Sequence, residues 1–453
     1  MIQYLAKSFF SIVILVTAAG ATGAQSFPSG SAQARVIRFQ LAVYYPARPT
    51  SEPLATLRSL AASDWKKLTI VTGELPQAPS GMVANARLEN DVKKNYSPPS
   101  LAALKHFGRG LSAAQMTALQ GSQQALIINF THPQVHAFEA LRNAYALTEQ
   151  LARNTDGLLW DEESREVFTP DSWHERRLAK WTGGVPNVAT NTAIHTYKNG
   201  ELLRAISLGM AKFGLPDIVV DQFTWSHSNA MVALINITGQ ALAEGAPVGD
   251  GGKIDINLMK IGNKEVRDNA LDGLLPGAQK MGELTLLKGE PDEGDPPNRL
   301  AAISFMRYPG PDVQARQDAL ITALFGSKDS VKYISHNDEL EQASERARTK
   351  LAAMAAHFGR GLPVGEYVQV KSPFPTSKGG NEWMWVEVSK WHGNDLEGVL
   401  KNDPFDVPTL RSGQKVKVRL DQVFDYLHTF PDGRQEGNTT GRIIERMQGT
   451  TKH

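Results

Sequence analysis

The residues best suited to recognition chemistry form one run near the C-terminus, Glu382-Trp383-Met384-Trp385-Val386-Glu387-Val388-Ser389-Lys390-Trp391. In a strand, successive side chains point to opposite faces. One face then carries Trp383, Trp385, Glu387, Ser389 and Trp391, and the other carries Met384, Val386 and Val388. The aliphatic face is the natural core face. Indole rings offer flat apolar area and an N–H donor, which suits a sugar, a peptide or a partner surface. Asn381, Asn402 and Asp403 would rim such a groove. The opposing expectation is that a helix and the N-terminal region cover this face. Burial of all three indoles would then remove the groove.

Catalytic chemistry has less support. There is no Cys, which excludes disulfides, thiolate metal sites and Cys nucleophiles. His174, His195, His227 and His336 lack metal-binding spacing. His227 reads as a helix start capped by Ser226 or Ser228. Asn154, Asp156, Gly157 and Glu163 imitate part of a calcium loop, but Ala152 stands where the first carboxylate belongs. Gly249-Asp250-Gly251-Gly252-Lys253-Ile254 is Gly-rich, yet Ile254 replaces the Ser or Thr of a phosphate loop. No G-x-S-x-G elbow is present. Carboxylate pairs such as Asp161 with Glu163, or Glu382 with Glu387, leave a hydrolase open as the alternative, with the pair set across an interdomain cleft. Neither a metal nor a cofactor is expected.

One hexapeptide occurs twice, His106-Phe107-Gly108-Arg109-Gly110-Leu111 and His357-Phe358-Gly359-Arg360-Gly361-Leu362. Each copy ends an Ala/Leu-rich helix. The local reading is a helix exit, with the first Gly as the left-handed stop and the second freeing the exit direction. A partial duplication is a second reading. A third is that Arg109 and Arg360 together grip an anion.

The elements that must position these residues alternate along the chain. Strands are expected at 35–45, 68–71, 125–130, 192–197, 217–220, 253–258, 284–287 and 300–305, and helices at 51–62, 100–107, 135–153, 229–243 and 314–325. The acidic Pro/Gly stretch 289–297 is a hairpin tip or a linker, and the close flanking strands favour the hairpin. Residues 326–337 are polar and form the expected linker. The next helix runs to Phe358, with Leu340, Ala343, Ala347, Leu351 and Met354 on one stripe. Beyond it the chain is β-rich, with strands expected at 366–371, 382–391, 396–400, 415–420 and 442–445. The expected architecture is α+β: a large N-terminal α+β region (25–325), divisible into two subdomains, and a small helix-plus-sheet or partly open barrel domain (338–453).

The first residues carry an address. Lys7 precedes the apolar run from Phe9 to Val16, and small residues follow through Ala24. That is the order of a cleaved secretory signal, with cleavage after Ala21 or Ala24. The run is shorter than a membrane span requires. Removing Lys7 leaves 47 acidic residues balanced by as many basic ones. Such a balance gives no electrostatic case for nucleic acid. The expectation is a soluble periplasmic or secreted protein without a membrane span.

The C-terminal stretch carries a resemblance. His357 to Leu362, then Gly380-Asn381-Glu382-Trp383-Met384-Trp385-Val386-Glu387-Val388, then Gly398-Val399-Leu400-Lys401-Asn402-Asp403-Pro404, then Val423-Phe424-Asp425-Tyr426 resemble the YegJ-like family of uncharacterised bacterial proteins. The resemblance covers roughly residues 338–447 and implies a small α+β domain; no activity or catalytic residue is established in that family to carry over. Upstream, Gly157 to Trp160 and Leu208 to Gly214 faintly resemble another uncharacterised α+β domain type. The leading functional expectation is a non-enzymatic binding protein of the cell envelope, whose partner is an envelope protein or a cell-wall fragment.

Overall fold

The computed structural model describes residues 25–443 apart from 64, 66, 182, 327–337 and 377–379. The expected leader, the expected linker beyond Gly326 and most of the turn at 377–380 lie outside the described residues. Three mostly antiparallel sheets carry helices on their faces, and the fold is mixed α+β.

The first sheet contains β1 (Val36–Tyr45), β2 (Leu68–Val71), β3 (Met82–Glu89), β4 (Gly108–Arg109), β5 (Gln124–Pro133), β6 (Leu158–Asp161) and β7 (Glu166–Phe168), in the order β2-β3-β5-β1-β6-β7-β4. Its central strand β1 sends Phe39, Leu41, Val43 and Tyr45 to one face and Ala42 and Tyr44 to the other, and all six are buried. Helix Ala137–Thr155 covers the first face with Leu141, Ala144, Tyr145, Leu151 and Ala152, the i, i+3, i+4 spacing that puts side chains on one stripe. The helix stops at Asp156, whose φ of 57° is left-handed. Gly157 follows because a Cβ there would stand 2.2 Å from Val43 Cγ1. The partial calcium-loop pattern is thus a helix exit running into β6. Val92, Leu104 and Leu119 cover the second face toward the C-terminal end of β1. Arg38 and Gln40, at its start, are not among the residues of that cluster.

The second sheet contains β8 (Ala193–Asn199), β9 (Leu202–Leu208), β10 (Asp217–Phe223), β11 (Lys253–Asn257), β12 (Met281–Lys288) and β13 (Leu300–Ser304), in the order β11-β12-β13-β10-β9-β8. Helices Ser228–Ala243 and Val313–Phe325 pack on it. Strands β12 and β13 pair antiparallel, so the acidic stretch 289–297 is a hairpin tip. One hydrophobic cluster runs through both sheets, from Phe39 and Leu141 to Phe213, Ile218 and Leu284. The segment before β1 also joins them: Ser26 bridges Leu287 and Gly30 bridges Val248 before the chain enters the first sheet.

The third sheet is antiparallel throughout: β14 (Tyr367–Pro375), β15 (Asn381–His392), β16 (Asp395–Leu400), β17 (Lys415–Arg419), β18 (Asp425–Thr429) and β19 (Gln435–Gly437), in the order β17-β16-β15-β14-β18-β19. Its ends do not meet, so it is an open sheet and not a barrel. Helix Asp338–Gly359 lays Ala347, Leu351, Met354 and Phe358 against Val368, Val370, Met384 and Val386. Residues 439–443, at the start of the expected last strand, are helical instead. The buried Asp425 carboxylate accepts from the backbone N–H and the hydroxyl of Thr440, and that turns the chain there.

Both hexapeptides are helix exits, but the left-handed residue is the second glycine in each. Gly110 has φ of 72° and Gly361 has φ of 88°. Gly108 is extended at φ −82° and is needed for space, since a Cβ would lie 2.5 Å from the Leu104 carbonyl oxygen.

Candidate functional site

Strand β15 places its aliphatic residues as expected: Met384, Val386 and Val388 are buried in the helix-covered core. The indoles do not share one face. A bulge between Val388 and Lys390 adds a residue, so Trp391 pairs with Leu396 and turns into the core against Phe358, with ring centres 5.5 Å apart. Trp383 packs against Phe424 with the rings tilted and their centres 4.6 Å apart, and it shares a hollow of about 550 Å³ with Glu341, Glu345 and Arg348. Trp385 lies beside its cross-strand neighbour Lys371, whose ammonium is 5.8 Å from the ring centre. All three indoles are half-buried.

The middle of that face touches the N-terminal region. Glu387 is buried and accepts from the backbone N–H of Ser226. Lys401 Nζ lies 3.0 Å from His227 Nε2, which is 3.1 Å from Asp318 on helix Val313–Phe325. Lys390 pairs with Glu201 at 2.6 Å, and the Lys415 backbone N–H donates to Asp312. Neither Ser226 nor Ser228 caps the helix after His227 through its side chain. His227 is instead an interdomain contact. Among the rim residues, Asn402 accepts from the Trp385 backbone N–H, Asp403 accepts from that of Ser412, and Asn381 is exposed.

The densest charge cluster lies elsewhere, on the β6–β7 hairpin. Asp161, Glu166, Arg177 and Lys212 have fully buried side chains. Arg177 donates to Asp161 at 3.0 Å and Glu166 at 2.8 Å, and Lys212 pairs with Asp161. The guanidinium lies 4.9 Å from the Phe168 ring centre, within cation–π range. Burial alone would push the Asp161 carboxyl up, but the Lys212 ammonium and the Arg177 guanidinium hold it below the usual carboxylate range. Arg177 sits in a single π-helical turn, His174–Leu178, a wider coil that often marks functional sites.

Arg177 also lines a cleft of about 630 Å³ between β4, the π turn and helix Lys264–Asp272, with the rest of the network behind it. Five cations, Arg109, Arg176, Arg177, Lys180 and Lys264, line it against two carboxylates, Glu175 and Glu265. Arg109 is tied to Glu166 at 2.6 Å and Lys180 to Glu265 at 3.2 Å. Arg176 has no carboxylate partner among the described residues. Buried Asn191 Oδ1 and Arg177 Nε, both of lining residues, also lack hydrogen-bond partners there. Arg109 lines this cleft with its guanidinium paired to Glu166. Arg360 does not join it; it is exposed at the exit of helix Asp338–Gly359. The remaining cleft cations were missed in the sequence. The adjacent pair Arg176-Arg177 was the available signal, with one guanidinium turned out and the other in.

Neither named carboxylate pair faces a shared cleft. Asp161 is sealed in its ion pairs. Glu382 accepts from the backbone N–H groups of Phe405 and Asp406, and Glu387 lies five residues along the same strand, toward the opposite face. Among the described residues no cluster of three or more His, Asp or Glu side chains could hold a metal ion, and no helix is long and apolar enough to cross a membrane.

The molecule is thus an α+β protein with a basic cleft in its two-sheet region and a docked C-terminal sheet. Residues 337–453 match the family model described as "Uncharacterized protein conserved in bacteria (DUF2314)". The match takes in the third sheet and its helix and none of the basic cleft. Neither the curated proteins nor the solved structures yield a match.

Proposed function

We propose that this chain is an exported, non-enzymatic binding protein of the bacterial cell envelope. Its basic cleft holds an anionic group, a carboxylate or phosphate, of a cell-wall fragment or envelope protein. The carrying observation is Arg176: a guanidinium with no carboxylate partner among the described residues, at a cleft lined also by Arg177, which a buried ionic network holds in place. Cations clustered around one cleft attract an anion, and charge-assisted hydrogen bonds are the strong ones. The C-terminal module is read as YegJ-like on its motif order alone. A hydrolase has weaker support, because neither named carboxylate pair faces a shared cleft.

The test is calorimetric titration of residues 25–453 with inorganic phosphate and with a muropeptide bearing free carboxylates, at low and high salt. Saturable binding that weakens with salt is expected. Arg176→Ala combined with Lys180→Ala should weaken it about ten-fold or more, equivalent to about 1.4 kcal/mol. Equal affinity in the folded double variant would sink the assignment of the cleft.

A further inference from the structure

The first sheet has a second opening, on the part of its outer face that Val92, Leu104 and Leu119 leave uncovered. Register sets Gln40 opposite Asn129 and Asn129 opposite Asn85, so three amides stand in one row across β1, β5 and β3. Directly opposed residues share a face and lie about 5 Å apart. The Asn129 amide donates to Asn85 Oδ1 at 2.9 Å, and Asn85 in turn donates to the Gly73 carbonyl at 2.5 Å. Arg38 is fixed at one side by the Pro76 carbonyl and by Gln77 Oε1. The row lines a hollow of about 470 Å³, within the usual range of small-molecule sites.

Glu163 closes one end. One carboxyl oxygen accepts from the Gln40 backbone N–H at 3.2 Å, and the other has no partner among the described residues. Burial, with the Asp161 carboxylate behind it, pushes the Glu163 carboxyl up to about 7. Near neutrality the group can thus serve as hydrogen-bond donor or acceptor. Glu74 is the other carboxylate of the hollow, and Arg38 its cation.

We propose that this hollow is a second ligand site, for a neutral hydroxyl-rich molecule, a short saccharide, held by Asn85, Asn129 and Glu163. The Gln40 amide N–H groups already donate to the Tyr96 hydroxyl and to Glu162, whereas Asn85 and Asn129 keep further donor and acceptor capacity that pairs with adjacent hydroxyls. With one cation facing two carboxylates, the lining does not favour an anion. The site is independent of the basic cleft, and its failure would leave the anion reading intact.

The test uses residues 25–453 and three neutral probes: chitotriose, maltotriose and cellotriose. Binding is followed by calorimetry and by shifts of the Asn side-chain amide signals in NMR. At least one probe should saturate. Asn129→Ser and Asn85→Ser should each weaken it about ten-fold, while Arg176→Ala leaves it unchanged. Glu163→Gln reports whether the carboxyl contacts the sugar, and a loss of about three-fold or more is expected. No saturation by any of the three probes, or saturation unaffected by all three hollow variants, would overturn the proposal.

Discussion

Lys212 is a charge with no water around it. Its ammonium is held by Asp161 and by the Asn191 carbonyl at 2.8 Å. A buried ion pair contributes little against an apolar replacement, but removing one member strands the other. Lys212→Met should therefore cost about 3–5 kcal/mol in a denaturant titration. Asp161→Asn in the Lys212→Met background should recover part of that loss, and a further loss would show that Asp161 is held mainly by Arg177. Little of this was legible in the sequence. Lys212 lies in Met210-Ala211-Lys212-Phe213, where nothing tells a buried lysine from a solvated one. Its partner is 51 residues away, on strand β6. Arg109 was singled out for its repeated motif, yet its place in the cleft comes from pairing with Glu166, which no local pattern reveals.

Among the elements, strands were readable where one face is wet and the other dry. Strand β2 and the helix after residue 100 appeared in the sequence with their observed ends, and the Ser100 hydroxyl caps that helix by accepting from the Ala103 N–H. Strand β9 was missed: all seven of its residues are buried, and Arg204 and Ser207 interrupt its apolar run. The bulge in β15 was equally hidden, because one extra residue moves Trp391 to the other face without any change in composition. At the contact between sheets, burial and the Lys401 ammonium push the His227 imidazole below its ordinary value of 6.5, which favours the neutral ring. The groups facing it are Asp318, Lys401 and Glu387. A depressed folded pKa contributes stability that is present above 6.5 and lost as pH falls through the depressed value. The melting temperature should thus drop on acidification from neutral pH, and His227→Asn should drop less steeply. Parallel profiles for the two proteins would remove His227 from that account.

For the molecule as a whole, the two-sheet region behaves as one packed body because a single core runs through both sheets and the segment before β1 laces them together. Phe27 is 5% exposed in that core, and its backbone N–H donates to the Leu286 carbonyl. Phe27→Ala should cost about 3–5 kcal/mol, read as a lower denaturant midpoint with unchanged slope. An unchanged midpoint would mean that the lacing is dispensable. The mixed α+β class was legible from alternating strand and helix signals, whereas the lacing was not, since residues 25–34 carry no strand periodicity. The lacing also sets an order of events. Ser26 and Gly30 have their native partners at Leu287 and Val248, so they stay unpaired until the second sheet has been made. Contacts of such sequence separation slow folding, and they delay closure of the two-sheet body until the strands of its second sheet arrive.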